Sequence, residues 1–203
     1  MRKLIVPEHL KKFNRSELEI RDLEFVQPFI ETIAITNPKE ILETGVLWGT
    51  SSILILELSN ANLTSLDPII NVNDDDNLKK GIAYPDKSEQ EKYLNTIKEH
   101  YGNRWTFHKI RSENAFHLIE NKRYDLFHID GDHWYSGLDA DYEISLKLGI
   151  EWLLIDDFEN VVLDKYLKTL NQHYILVKMW KRGNTPIGLF KKMGKLNNLR
   201  FEK

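Results

Sequence analysis

Strands and helices take turns along this chain, and that alternation limits the fold more than any other feature. Glu40-Ile41-Leu42-Glu43 reads as a short strand running into a glycine turn, and residues 50–58 follow as an apolar helix. Leu63-Thr64-Ser65-Leu66-Asp67 is a second strand, stopped by Pro68. Residues 105–110 alternate like a third strand, and residues 124–130 are a fourth. Trp152-Leu153-Leu154-Ile155 is wholly apolar, as expected for a strand covered on both faces. Between them the sequence predicts a helix opened by the capping box Ser88/Glu91 and running to Tyr101, a helix over 113–120 capped by Ser112, and a helix over 138–148. A helix near 163–170 and strands over 174–180 and 187–192 close the chain; residues 181–186 connect that last pair like a hairpin. This order implies the α/β class: a doubly wound, mostly parallel sheet of seven strands with an antiparallel C-terminal strand.

Ahead of the first strand, Ser16 with Glu19 is a capping box for a helix to about residue 35, with Pro28 as a kink and Asn37-Pro38 as its end. Residues 1–37 are thus an N-terminal helical segment. Residues 69–87 contain the polar, turn-rich run Asn71-Val72-Asn73-Asp74-Asp75-Asp76-Asn77, a long loop of the kind that is functional or disordered, and they are expected to act as a lid. With 203 residues, no internal repeat and no linker, the whole chain reads as a single domain, 1–203. The absence of cysteine excludes disulfides and Cys-ligated zinc. The N-terminus meets a charge too soon for a signal peptide, and no apolar run approaches the roughly 20 residues of a membrane span. The expectation is a cytoplasmic protein with no membrane partner. Net charge is −3, yet the residues after 160 hold ten Lys/Arg against two acids. Such a basic face suits an anionic partner, or is simply a solvated surface. Nucleic acid is not expected, for want of interleaved aromatic and basic residues. The oligomeric state is open, and a homo-oligomer is compatible with the sequence.

Ligands of a doubly wound sheet bind outside the carboxyl ends of its strands. That rule selects the turn after Glu43, then Asp67, the segment after Asp130, and Asp156-Asp157. In Glu43-Thr44-Gly45-Val46-Leu47-Trp48-Gly49-Thr50-Ser51, Gly45 permits a tight turn or close approach to a ligand, and Gly49 opens a helix whose first N–H groups can face an anion. The dinucleotide fingerprint G-x-G-x-x-G is absent, and a plain strand-to-helix turn remains the rival reading. Asp67, ending the second strand, is placed to accept hydrogen bonds from ribose hydroxyls, or else to cap a turn before Pro68. Asp130-Gly131-Asp132-His133 gathers three ionisable groups within four residues, and Asp156-Asp157 ends the adjacent strand. So many carboxylates repel unless a cation or protons neutralise them, and a hard divalent ion such as Mg²⁺ takes oxygen ligands. Helix capping and solvation are the alternative.

Taken together, these residues resemble the class I S-adenosylmethionine-dependent methyltransferases, and among them the metal-dependent small-molecule O-methyltransferases of catechol, caffeoyl-CoA and macrocin type. The resemblance spans about residues 38–192. It rests on Leu42-Glu43-Thr44-Gly45 with Gly49, Ser65-Leu66-Asp67, Ser112-Glu113, His128-Ile129-Asp130-Gly131-Asp132-His133 and Leu154-Ile155-Asp156-Asp157. It implies a Rossmann-like sheet with S-adenosylmethionine as cofactor. Gly45 and Gly49 would then shape the pocket for the methionine part, Glu43 and Ser51 would hold its amino and carboxylate ends, Asp67 would bind the ribose, and Ser112 with Glu113 would lie beside adenine. Asp130 would border the cofactor, and Asp130, Asp156 and Asp157 would fall on the metal-ligand positions. His133 stands where plant and animal members place a catalytic lysine, and Asp132 where macrocin-type members have an acid. Departures are the missing lysine at 133 and a single glycine in Leu148-Gly149-Ile150-Glu151. Trp48, Trp134 and Tyr135 would line an acceptor pocket or pack in the core.

The expected activity is methyl transfer to an oxygen of a small acceptor, with Mg²⁺ or another divalent ion lowering the acceptor pKa and His133 or Asp132 taking the proton. Two rivals stand beside it. A metal-dependent hydrolase or phosphoryl-transfer enzyme would use the same carboxylates without S-adenosylmethionine. A non-catalytic module of the same fold would show strongly salt-dependent binding and no turnover.

Overall fold

The computed structural model describes residues 23–69, 87–131, 135–156, 167–182 and 185–194. The N-terminal helix α1 spans Leu23–Thr36 and contains Pro28. It ends as its sequence suggests. Asn37 adopts φ 41°, its N–H donates to the Ile33 carbonyl at 2.9 Å, and Pro38 follows. Asparagine tolerates this left-handed C-terminal position, and proline cannot extend the helix. The Ser16/Glu19 capping box lies outside the described residues.

Five strands then alternate with helices: β1 (Glu40–Thr44), α2 (Thr50–Leu58), β2 (Asn62–Leu66), α3 (Lys87–Tyr101), β3 (Trp105–His108), the single turn α4 (Phe116–Ile119), β4 (Leu126–Ile129), α5 (Tyr135–Leu148) and β5 (Trp152–Ile155). Strands β6 (Tyr174–Arg182) and β7 (Thr185–Lys192) complete the sheet. Its order is β3-β2-β1-β4-β5-β7-β6. Every pairing from β3 to β5 is parallel, whereas β7 runs antiparallel to both β5 and β6. The seven-stranded, doubly wound sheet read from the sequence is therefore present, with its one reversed strand at the C-terminus. Chain order reverses between β1 and β4, and ligands of such sheets bind at that crevice. The expected helix over 113–120 is replaced. Ser112 does not cap it but begins a 3₁₀ turn, Ser112–Asn114, with no side-chain cap, and only one α-helical turn follows.

Two apolar layers sandwich the sheet, and the two-residue period of a strand assigns each side chain to one of them. Ile41, Leu63, Leu126 and Leu154 pack with Val26 and Phe29 of α1, Ile53–Leu56 of α2 and Ile97 of α3. Leu42, Leu66, Phe127, Ile129, Leu153 and Ile155 face Ala115, Ile119, Leu138 and Tyr142 on the other side. Helix α2 is apolar around its circumference because it is buried. By the same alternation Glu43, Ser65 and His128 lie in the α1/α2 layer, among hydrocarbon. Among the described residues no helix is long and apolar enough to cross a membrane.

Candidate active site

The turn after β1 is shaped by left-handed backbone, which suits glycine and strains other residues. Gly45 and Gly49 both have φ 79° and Leu47 has φ 46°. A methyl group on Gly45 would collide with the Asp130 backbone carbonyl, so this glycine lets the ends of β1 and β4 close on one another. Gly49 is the N-cap of α2 and offers no side chain to it. The first-turn amides of that helix thus have no capping side chain and point toward the crevice.

Asp67 is buried just past the end of β2. Its Oδ2 accepts from the Val46 N–H at 2.8 Å and the Leu47 N–H at 3.0 Å, and its Oδ1 accepts from the Ile69 N–H at 2.7 Å. The turn is fastened from α3 as well: Gln90 Nε2 donates to the Leu47 carbonyl at 2.8 Å, and Trp48 meets Tyr93 edge to face at 5.6 Å. Ser112 and Glu113 lie in the 3₁₀ turn beyond β3, Ser112 half-buried and Glu113 exposed. Asp67 N–H donates to the His108 carbonyl at 3.2 Å, which sets this strand end beside the turn. Burial, and then the Lys122 charge, hold the His108 imidazole below its ordinary pKa.

Glu43 and Ser51 are brought together, but with each other. Glu43 is fully buried and accepts from four donors: Ser51 Oγ at 2.7 Å and His128 Nδ1 at 3.3 Å on Oε1, Ser52 Oγ at 2.5 Å and Ser65 Oγ at 2.7 Å on Oε2. Trp105 Nε1 donates in turn to Ser65 Oγ at 2.9 Å. A polar row therefore crosses β3, β2, β1 and β4 inside an apolar layer, and every oxygen of the buried carboxylate is satisfied within the protein.

Across the crevice, Asp130 is half-buried and Asp156 almost fully buried. Asp130 N–H donates to the Thr44 carbonyl at 3.0 Å, and Asp156 N–H to the Ile129 carbonyl at 2.9 Å, extending the sheet pairing to both. Thr44 Oγ1 donates to Asp141 Oδ2 of α5 at 2.8 Å, fixing the floor beneath Gly131. One ligand atom each from His128, Asp130 and Asp156 lie within 4.8 Å of one another. Asp132, His133, Trp134 and Asp157 lie outside the described residues, as does most of the expected lid. Tyr135 begins α5.

A family model described as a methyltransferase domain matches residues 42–157, more than half of the chain and all of this crevice. The chain belongs to that methyltransferase family. In family and in fold it is a class I, S-adenosylmethionine-dependent methyltransferase, as the sequence led one to expect. Several solved structures share the methyltransferase's architecture at low identity. The methyltransferase PaMTH1 of Podospora anserina, bound to S-adenosylhomocysteine, is 15% identical with a TM-score of 0.64, covering 93% of this chain and 89% of that one. An O-methyltransferase of Bacillus cereus, also with S-adenosylhomocysteine, is 15% identical with a TM-score of 0.64, covering 93% of each. The O-methyltransferase TomG of Streptomyces achromogenes, involved in tomaymycin synthesis and bound to S-adenosylmethionine, is 13% identical with a TM-score of 0.63, covering 94% and 92%. No curated protein matches the sequence.

Sequence reasoning passed over several residues that build this methyltransferase's crevice. Ser52, Ser65, His128 and Asp141 were not read as site residues. A signal existed for His128, a polar residue in the buried run Leu126–Ile129, two positions before Asp130 and hence on its face of the strand.

Proposed function

We propose that this methyltransferase moves a methyl group from S-adenosylmethionine to an oxygen of a small acceptor molecule, with a divalent ion assisting at Asp130, Asp156 and Asp157. The observation carrying this reading is the placement of Asp67 and the uncapped N-terminus of α2 on one side of the β1/β4 switch point, opposite the acidic ends of β4 and β5. The residues present fit both groups. Gly45 and Gly49 hold a turn whose adjacent amides and Asp67 carboxylate suit the polar parts of a nucleoside with an amino-acid tail. The converging carboxylates suit a cation.

When bound, S-adenosylmethionine supplies an electrophilic methyl on sulfonium, and the ion lowers the pKa of an acceptor hydroxyl. The protein's work is to orient and to move one proton. Asp67 holds the ribose, with Ser112 and Glu113 beside the base. His133 or Asp132 takes the acceptor proton. Asp130 and Asp156 would hold the ion that the acceptor oxygen meets, and the turn would hold the methyl donor, so that the two reactants are brought together. The O-methyltransferases among the structural neighbours support a small acceptor, and their low identity leaves the fold as the shared property.

Calorimetric titration with S-adenosylhomocysteine, with and without Mg²⁺, tests the reading. Binding strengthened by the ion is expected, and no binding under either condition rejects the cofactor assignment. Methyl transfer that survives EDTA rejects the ion, and transfer that survives substitution of both His133 and Asp132 by Ala rejects the base.

A further inference from the structure

The ring of His128 is fully buried, and its Nδ1 faces Glu43 Oε1 at 3.3 Å. A neutral ring that donates from Nδ1 to this carboxylate keeps its lone pair on Nε2. Nε2 has no hydrogen-bond partner, although it is sealed from solvent. A buried nitrogen left so is unusual, because nearly all buried polar atoms find a partner. Phe29 of α1 packs against the ring at 5.2 Å, tilted 66°, and excludes water from that side.

We propose that His128 Nε2 is a metal ligand, forming with Asp130 and Asp156 a mixed nitrogen–oxygen site that prefers a transition ion of the zinc or cobalt kind to Mg²⁺. This deepens the function proposed above, and it rests on that reading for the use of an ion at this strand edge. Three observations carry it. One ligand atom each from His128, Asp130 and Asp156 lie within 4.8 Å of one another, near enough for small side-chain rotations to bring them to the roughly 3–3.5 Å that separates neighbouring ligands of one ion with bonds of ~2.1 Å. The orphan Nε2 is the nitrogen left over once Nδ1 is engaged. Finally, Glu43 has the place of the carboxylate that supports a metal-binding histidine from behind, fixing its tautomer and ring plane. Ser51, Ser52 and Ser65 hold that carboxylate in turn, which gives the buried row a purpose beyond folding. Imidazole raises affinity for zinc, cobalt and iron, whereas Mg²⁺ favours oxygen alone.

The metal-free full chain is titrated with Zn²⁺, Co²⁺ and Mg²⁺ separately, without S-adenosylmethionine. One ion per chain is expected, with Zn²⁺ and Co²⁺ bound at least about 100-fold more tightly than Mg²⁺. His128→Gln is expected to weaken Zn²⁺ by about 30-fold and Glu43→Gln by about 10-fold, while the exposed His117→Gln changes nothing. Equal affinity for Mg²⁺, or unchanged Zn²⁺ binding in His128→Gln, overturns the proposal. Should His128→Gln fail to fold, X-ray absorption at the zinc edge of the unmodified chain decides: an imidazole shell supports the assignment and a shell of oxygens alone rejects it. S-adenosylhomocysteine binding to the metal-free chain is measured in parallel. Its failure strikes the cofactor reading and leaves the metal result standing, and the reverse holds.

Discussion

The two banks of the crevice are made of different material. On the β1/β2 bank the functional groups are backbone amides and one carboxylate, and these already bond to each other: Asp67 takes the N–H groups of Val46, Leu47 and Ile69. On the β4/β5 bank they are side chains, two aspartates and a histidine whose Nε2 has no partner. A backbone-made site keeps its shape without ligand because turn geometry dictates it. A site made of like charges and a lone pair holds together best when something sits in the middle. The first bank should therefore depend on conformation, and the second on charge and valence.

The sharpest way to break this contrast is Gly45→Ala. Its φ of 79° and the collision with the Asp130 carbonyl both oppose a side chain. Stability should fall by about 3 kcal/mol, which lowers the melting temperature by roughly 6–12 °C for a chain of this size. A fall of under 1 kcal/mol, read by urea unfolding, would mean that the turn is not held by geometry. Glu43→Gln comes next. It keeps shape but offers an amide where three hydroxyls and an imidazole expect acceptors, so a loss of about 1–3 kcal/mol is expected. Asp67→Asn should weaken S-adenosylhomocysteine about tenfold, near 1.4 kcal/mol; unchanged affinity in calorimetry would move the cofactor off this bank. At Gly49 the obstructing atom is only Ile97 Cδ1, which can swing aside. Gly49→Ala should thus show little beyond the left-handed backbone strain of about 1–2 kcal/mol.

The smallest expected effect is a pH dependence on the turn side. The lowered pKa of His108, due first to burial and then to Lys122, means that the folded chain binds fewer protons there than the unfolded one. Its contribution is fully present above the ordinary value near 6.5 and is lost as pH falls from there toward the folded value. Urea midpoints at pH 7.5 and 5.5 should drop slightly more in the native chain than in His108→Gln.

What could be read from the sequence follows the same division. Helix α2 over Thr50–Leu58 and strand β5 over Trp152–Ile155 were legible to the residue, because an apolar run bounded by turns is local information. The helix after Ser112 was not, since a capping pattern alone does not tell a 3₁₀ turn from an α-helix. The placement of Asp67 could be anticipated from the order of strands. The partners of Glu43 could not: Ser65 and His128, 22 and 85 residues away, meet it only through strand register, and Ser52, 9 residues away, only through the docking of α2. Sequence motifs named the acids at the ends of β4 and β5, and only the packed sheet put a histidine between them.

The self-bonded state of Asp67 makes the turn a competitor for its own ligand. Three of the roughly four acceptor sites of this carboxylate are taken, so a molecule reaching it finds one open on Oδ1 and must displace an amide to claim a second. A ribose with both hydroxyls can claim both, whereas a deoxy analogue fills only the open one. Selection among nucleosides would then arise from what the empty protein gives up, and discrimination would sharpen as the turn grows more rigid.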